Sequence, residues 1–225
     1  MPNYLFLLIA LSLPTCLFGQ ELPQLKRELD SMYVLDQRNR EWLTNLGNNQ
    51  PLTDSLCKVY KTDRTALASV LWNEQVKIDS SNLTRAEAII KQRGYPGKTL
   101  VGTPTNESVF YIIQHSSRIP TYIPIIKTAA EQNELPFLLY AMMFDRSLMY
   151  AGKPQVYGTQ VSCRQLLKTR QTRCFVWPID DAKAVNDRRK KAGFPMSVEE
   201  NATRLNAAYE PALTIESVRK TYRFD

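Results

Sequence analysis

Histidine is nearly absent from this sequence, since His115 is the only one among 225 residues. A metal site built from several histidines is therefore excluded, and the cysteine and histidine spacings of zinc sites do not occur. The chain also lacks a Gly-x-Ser-x-Gly nucleophile elbow, and the Gly-Lys-Thr at residues 97–99 lacks the preceding glycine and strand of a phosphate loop. We predict no metal and no cofactor, and the sequence indicates no enzyme class.

Cysteine is scarce as well, with four residues, and the first of them lies in an apolar N-terminal segment. Residues 1–19 carry no charged side chain and end at the small Gly19, which is typical of a secretory signal peptide, although no Lys or Arg precedes the apolar run. The alternative is a lipoprotein signal with Cys16 acylated, but Pro14 and Thr15 fit poorly before a lipidated cysteine. We expect an exported protein, periplasmic or secreted, and no later stretch is long and apolar enough for a transmembrane helix.

Three cysteines remain if the N-terminal segment is removed, and export permits disulfides. Cys163 and Cys174 would face each other across a predicted hairpin, and the sequence leaves open whether they form a disulfide. Cys57 is then the odd residue, which is more typical of a buried small hydrophobic side chain than of a nucleophile. So few cysteines do not make a disulfide scaffold, and the fold must depend on its hydrophobic core.

Positive charge is concentrated in one part of the chain. The formal net charge is +7, and residues 164–191 hold nine Lys or Arg against three Asp, which gives +6. A local basic face can bind an anionic component of the cell envelope, whereas the simpler interpretation is a solvated loop and helix face. Nucleic acid is not expected as a partner, because the chain has no nucleic-acid motif and no aromatic residues interleaved as in a stacking platform.

Hydrophobic periodicity predicts a mainly α protein with a small β-hairpin, in a single domain over residues 20–225. The predicted helices lie near residues 22–46, 53–60, 64–78, 83–93, 106–117, 123–131, 137–150, 181–192 and 197–209. The polar residues 79–82 are predicted to separate two of these helices. β-forming residues predict a hairpin near 155–178, with strands near 155–163 and 172–178.

The densest run of polar residues lies at residues 144–160, where an almost wholly apolar helix meets the predicted hairpin. Asp145 and Arg146 stand at the edge of the core, where they can form an ion pair or Arg146 can cap helix carbonyls. Strand alternation would put Gln155 and Tyr157 on one face and Gln160 on the other. His115 ends an apolar helix, where it is either a general acid or base or a histidine satisfied by a carbonyl.

Several short motifs follow one another in a fixed order. They are Asp36-Gln37…Arg40, Asp79…Asn82, Gly94-Tyr95-Pro96, Val101-Gly102, Gln114-His115, Asp145-Arg146…Gly152-Lys153-Pro154-Gln155-Val156-Tyr157-Gly158-Thr159-Gln160 and Val185-Asn186-Asp187-Arg188-Arg189. In these motifs the chain resembles an uncharacterised bacterial family, a domain of unknown function, over about residues 25–195. The resemblance implies a shared site but brings no established activity. One departure is Ser117, where the family usually has an aspartate two residues after the histidine.

Three functional hypotheses follow. The first is a binding or accessory protein of the cell envelope, with a polar pocket formed by Gln114, His115, Asp145, Arg146, Gln155, Tyr157 and Gln160. The second is a hydrolase in which His115 or Asp145 acts as general acid or base and Arg146 or Tyr157 stabilises developing charge. In the third, these residues only lock the hairpin onto the helices.

Overall fold

Helices make up most of the computed structural model, which describes residues 16–224, with side chains from residue 22 onward. The elements are α1 Cys16–Asn45, α2 Gln50–Tyr60, α3 Arg64–Arg93, α4 Lys98–Val101, α5 Ser108–Gln114, α6 Ile119–Glu131, α7 Phe137–Tyr150, β1 Val161–Gln165, β2 Thr172–Val176, α8 Val185–Lys191, α9 Val198–Arg204 and α10 Ile215–Thr221. The predicted mainly α fold with a small hairpin is confirmed. The predicted signal peptide lies almost wholly outside the described residues. The α1 helix begins at Cys16, before the predicted start near residue 22, so Pro23 lies inside the helix.

The main hydrophobic core lies among α1, α3, α5, α6 and α7. Leu29, Phe110, Ile113 and Ile126 are wholly shielded from solvent there. A smaller apolar cluster, formed by Leu56, Leu67 and Leu71 with their neighbours, packs α2 against α3. None of the described helices is long and apolar enough to cross a membrane.

The α3 helix runs unbroken for 30 residues, so the predicted separation at residues 79–82 is wrong. These polar residues pair with α1 instead of ending the helix. The Asn82 amide donates to the carbonyl of Met32 at 2.9 Å, and Asp79 lies 2.8 Å from the guanidinium of Arg40. Asp79 and Asn82 thus form hydrogen bonds with distant residues of α1, which a local pattern of polar residues does not show.

The β-hairpin is antiparallel and pairs Cys163 with Cys174, which form the disulfide that the sequence left open. One side of the hairpin packs on α10, where Phe175 stacks on Tyr222 with ring centroids 4.2 Å apart. Val176 packs with α8 and α9 on the other side. The hairpin and these three short helices therefore form a second packed region beside the main helical core.

The first strand begins later than predicted. Residues 155–160 form a loop, apart from a single bridge between Gln155 and Ile179. The predicted alternation of side chains between two faces does not apply to this loop. The reason is that its backbone amides bind a carboxylate of α7 and not a neighbouring strand.

Candidate functional site

Asp145 anchors the loop that follows α7. Its side chain is wholly buried, and its carboxylate accepts hydrogen bonds from the backbone amides of Val156 (2.8 Å), Tyr157 (3.0 Å) and Thr159 (3.0 Å). The Thr159 hydroxyl donates to the same carboxylate at 2.9 Å. Burial raises the pKa of Asp145 above its usual value, and these four donors act in the opposite direction. The carboxylate is thereby surrounded by its own loop.

Two glutamines close the same loop. Gln155 is wholly buried, and its side chain donates to the carbonyls of Gln160 (3.0 Å) and Trp177 (2.7 Å) while accepting from the amide of Gln160 (2.8 Å). The Gln160 side chain donates to the carbonyl of Met142 at 3.3 Å and to the hydroxyl of Thr159 at 2.9 Å. These bonds connect α7, the loop and the end of β2.

Gly158 and Arg189 explain why this loop lies tightly on α8 and α9. Gly158 has a φ of +67°, and a Cβ atom there would lie 2.7 Å from a methyl carbon of Val198, so only glycine fits. Arg189 is only 2% exposed and donates to the carbonyls of Tyr157 (2.8 Å) and Met196 (2.9 Å). Part of the basic 164–191 region therefore serves packing and is not a solvated face.

A second polar cluster lies where α1 meets the end of α5. The Nδ1 atom of His115 lies 3.0 Å from one carboxylate oxygen of Asp36 and 3.3 Å from the other. The Asp36 side chain is 1% exposed and that of His115 is 20% exposed. Because a carboxylate accepts a hydrogen bond, the contact assigns the proton to Nδ1 in the neutral ring. Among the described residues Nε2 makes no hydrogen bond, so it is the ring nitrogen left for another partner.

Residues of α1 and α3 hold Asp36 in place, and we call Asp36, Arg40, Gln75 and Asp79 the Asp36 network. The Arg40 guanidinium donates to both carboxylate oxygens of Asp79 (3.0 and 2.8 Å) and to the Asp36 carbonyl (2.7 Å). The buried Gln75 amide donates to Asp79 (2.7 Å) and to the Asp36 carbonyl (3.1 Å). The imidazole is therefore oriented by a carboxylate whose own helix position is fixed by further bonds.

Arg146 connects the two polar clusters. It donates to the backbone carbonyl of Gln114, next to His115, at 3.0 Å and to the side-chain oxygen of Gln160 at 3.4 Å. The Gln114 side chain makes no hydrogen bond within the described part of the chain. Hydrogen bonds and neighbouring positions in the chain thus connect the seven residues that were predicted to form one pocket. Three of them, Asp145, Gln155 and Gln160, are buried among these connecting bonds.

Tyr157 lies at a cavity that is not lined by His115. It lines a cavity of about 260 Å³ with Phe137, Arg188, Lys191 and Ala192, and His115 is not among the lining residues. Burial raises the pKa of the Tyr157 hydroxyl, as does the nearby charge of Asp145. His115 therefore does not share this cavity with Tyr157.

Sequence reasoning proposed His115 but missed its partner. The signals available were the four-residue spacing of Asp36 and Arg40 on α1 and the place of both in the motif order. Ser117 is exposed, and the carboxylate that contacts His115 comes from Asp36 instead, so the departure at Ser117 does not deprive the imidazole of an acidic partner. Within the described residues, no three His, Cys, Asp or Glu side chains are grouped to hold a metal ion.

Fold and site together define a mainly helical protein in which a buried carboxylate orients a single histidine. The chain belongs to DUF6624, a family of unknown function whose model matches residues 23–214. That range includes every residue of the two polar clusters. No curated protein and no solved structure matches the chain.

The role of Asp145 as an anchor leads to a stability prediction. Asp145→Asn removes an acceptor and turns an amide group toward backbone donors, so we expect the free energy of unfolding to fall by about 3 kcal/mol or more. Asp187→Asn, an exposed aspartate on α8, is the matched control and should change it by no more than about 0.5 kcal/mol. Urea unfolding followed by circular dichroism measures both, and equal small losses would contradict the anchoring role.

Proposed function

We propose that this protein is an exported acid–base enzyme of the hydrolase class. In this proposal His115 takes and returns the proton, and Asp36 is its positioning residue. The observation that carries the proposal is the 3.0 Å contact between the Nδ1 atom of a partly exposed imidazole and a carboxylate that is almost wholly buried.

The chemical reason lies in the two ring nitrogens. A carboxylate that accepts the Nδ1 proton fixes the tautomer, so the lone pair of Nε2 is directed at a substrate or a water molecule. The same carboxylate stabilises the imidazolium that forms when Nε2 takes a proton. The Gln37 amide also donates to Asp36 at 2.6 Å, and the Asp36 network limits its movement.

Arg146 is the better candidate for stabilising developing charge. It contacts the carbonyl of the residue before His115, and only two of its five N–H donors take part in the bonds described above. Tyr157, the alternative, lines a cavity that does not include His115. Asp145 is the weaker candidate for the base, because four donors of its own loop surround its carboxylate.

Export is part of the proposal. It is supported by the uncharged apolar segment at residues 1–19 and by the Cys163–Cys174 disulfide, since disulfides persist in oxidising compartments. The periplasm and the extracellular space are both compatible with these features.

Substitution of the pair tests the enzyme proposal. With p-nitrophenyl acetate, phosphate and glucoside as probes, we expect the purified protein to turn over at least one of them. We expect His115→Ala to lower kcat/KM by about 100-fold or more, the contribution of general acid–base catalysis, with an unchanged melting temperature. Asp36→Asn should lower activity in the same direction.

Ser117→Ala is the control, because this exposed neighbour has no role in the proposal, and its activity should equal that of the parent protein. A fall in melting temperature that parallels the loss of activity in His115→Ala would favour a purely structural histidine. Turnover that His115→Ala leaves intact would exclude this residue as the base.

The cavity lined by Tyr157 favours a second candidate function, a cell-envelope binding protein for an anionic component. Its wall includes Arg188 and Lys191, and Phe137 adds an apolar side. The Arg188 guanidinium is already bound to the carbonyls of Val156 and Asp180. Lys191 is exposed and forms no ion pair among the described residues, so it is the charge available to a ligand.

Charge reversal tests this binding function. With vesicles of phosphatidylglycerol as the probe, we expect Lys191→Glu to weaken binding by about fivefold or more, since each basic residue near an anionic surface contributes about 1 kcal/mol and the reversal adds a repelling charge. Lys183→Glu makes the same charge change in the same basic region but outside the cavity, and its effect should be smaller. Equal losses would indicate diffuse attraction by net charge, and binding to phosphatidylcholine vesicles of equal strength would exclude an anionic partner.

A further inference from the structure

A cavity of about 310 Å³ lies between the end of α7, the hairpin and α10, and neither Asp145 nor His115 lines it. Aromatic side chains form much of its wall, contributed by Tyr150, Trp177 and Phe224. Two arginines, Arg164 on β1 and Arg219 on α10, line it as well. The combination of flat apolar walls and guanidinium groups in one cavity is a feature that neither proposed function uses.

The C-terminal segment completes the cavity. The amide of Arg223 donates to the carbonyl of Gln165 at 2.8 Å, so the chain after α10 runs beside β1. This pairing brings Phe224 against Trp177, with ring centroids 6.4 Å apart in an edge-on arrangement. Trp177 is itself fixed, because its indole N–H donates to the carbonyl of Lys153 at 2.8 Å. The aromatic wall is therefore preformed.

Several arginines of this chain pair with a carboxylate, and the two arginines of the cavity do not. Arg64, Arg85, Arg118 and Arg173 each pair with a carboxylate. Within residues 22–224, neither Arg164 nor Arg219 forms an ion pair. Two positive charges thus share one small cavity, and no carboxylate of the described residues pairs with either of them.

The guanidinium of Arg164 is held ready for a ligand. It lies over the Phe224 ring, 4.0 Å from the centroid, and its Nε donates to the Ser162 hydroxyl at 3.0 Å. Its Nη1 reaches only the carbonyl of Arg223, at the long distance of 3.5 Å. Stacking and the Nε bond orient the planar group and leave most of its N–H donors for an acceptor with two oxygens.

We infer that this cavity binds an organic anion in which a carboxylate, sulfonate or phosphate group is attached to a flat apolar body. The arginines recognise the oxygens, and the aromatic wall covers the ring or chain. The volume is at the lower end of the range for small-molecule sites. Ile215, Arg219 and Phe224 line the cavity but lie beyond residue 214, so the family-matched region does not form this site alone.

The probe for this site is 8-anilinonaphthalene-1-sulfonate, which combines an anion with flat rings. Trp177 lines the cavity, so in a Trp42→Phe, Trp72→Phe background energy transfer from Trp177 shows that the probe binds near this residue, and the arginine variants show whether it binds in the cavity. We expect saturable binding with energy transfer. Arg219→Ala should weaken it by about tenfold, the loss of one charge-assisted contact.

Arg219 is the first choice for substitution, because it is exposed and forms no hydrogen bond within residues 22–224, so the variant should fold like the parent protein. Arg164→Lys is a second variant that keeps the charge and loses the planar fork, and it should also weaken binding. Arg27→Ala removes an equally exposed arginine on α1 as the matched control and should leave the dissociation constant within about twofold.

Competition experiments test the anionic group and the apolar body of the proposed ligand separately. Benzoate, with a ring and a carboxylate, should displace the probe at lower concentration than benzyl alcohol or acetate, which each have one half. Equal binding by the Arg219→Ala and Arg27→Ala proteins, no energy transfer from Trp177, or equal displacement by benzyl alcohol would each overturn the inference. None of these outcomes tests the proposed role of His115, because neither His115 nor Asp36 lines this cavity.

Discussion

The hydrogen bonds of the Asp145 carboxylate are the constraint on which the helical core and the hairpin region both depend. Its carboxylate gathers three backbone amides of the loop after α7, and that loop leads into the hairpin. Arg146, the next residue, contacts the carbonyl of Gln114 on α5. One helix end therefore fixes the hairpin region on one side and the segment that carries His115 on the other. This explains why a polar run occurs at the edge of an apolar core.

The interface between α1 and α3 differs from the core beside it. Asp36, Asn39 and Gln75 are wholly buried there, whereas the neighbouring core is apolar. Burial of polar groups is costly unless they are paired, and Asn39 Oδ1 and Gln75 Oε1 have no partner among the described residues. In this polar interface the Asp36 carboxylate contacts the imidazole of His115.

Because hydrophobic spacing is local, the sequence predicted the class of fold and placed most of the helices and the hairpin in order, but it predicted neither α4 nor α10. It could not reveal long-range partners. Asp36 and His115 are 79 residues apart, so no pattern within one helix joins them. The run at residues 79–82 predicts a break because a local pattern does not show the α1 partners of Asp79 and Asn82. Val156 and Tyr157 have strand propensity, but their backbone amides donate to the Asp145 carboxylate and not to a neighbouring strand. Polar residues at an interface were the common source of error.

The tautomer of His115 tests the central claim most directly. Because it is the only histidine, an untagged protein labelled with ¹⁵N-histidine gives one imidazole in a long-range ¹H–¹⁵N correlation spectrum. At a pH where the ring is neutral, we predict the Nδ1–H tautomer, with Nε2 unprotonated and accessible. Asp36→Asn should shift the ring toward the other form in a protein that remains folded. A parent protein with the Nε2–H tautomer, or with an even mixture of both, would contradict orientation by Asp36.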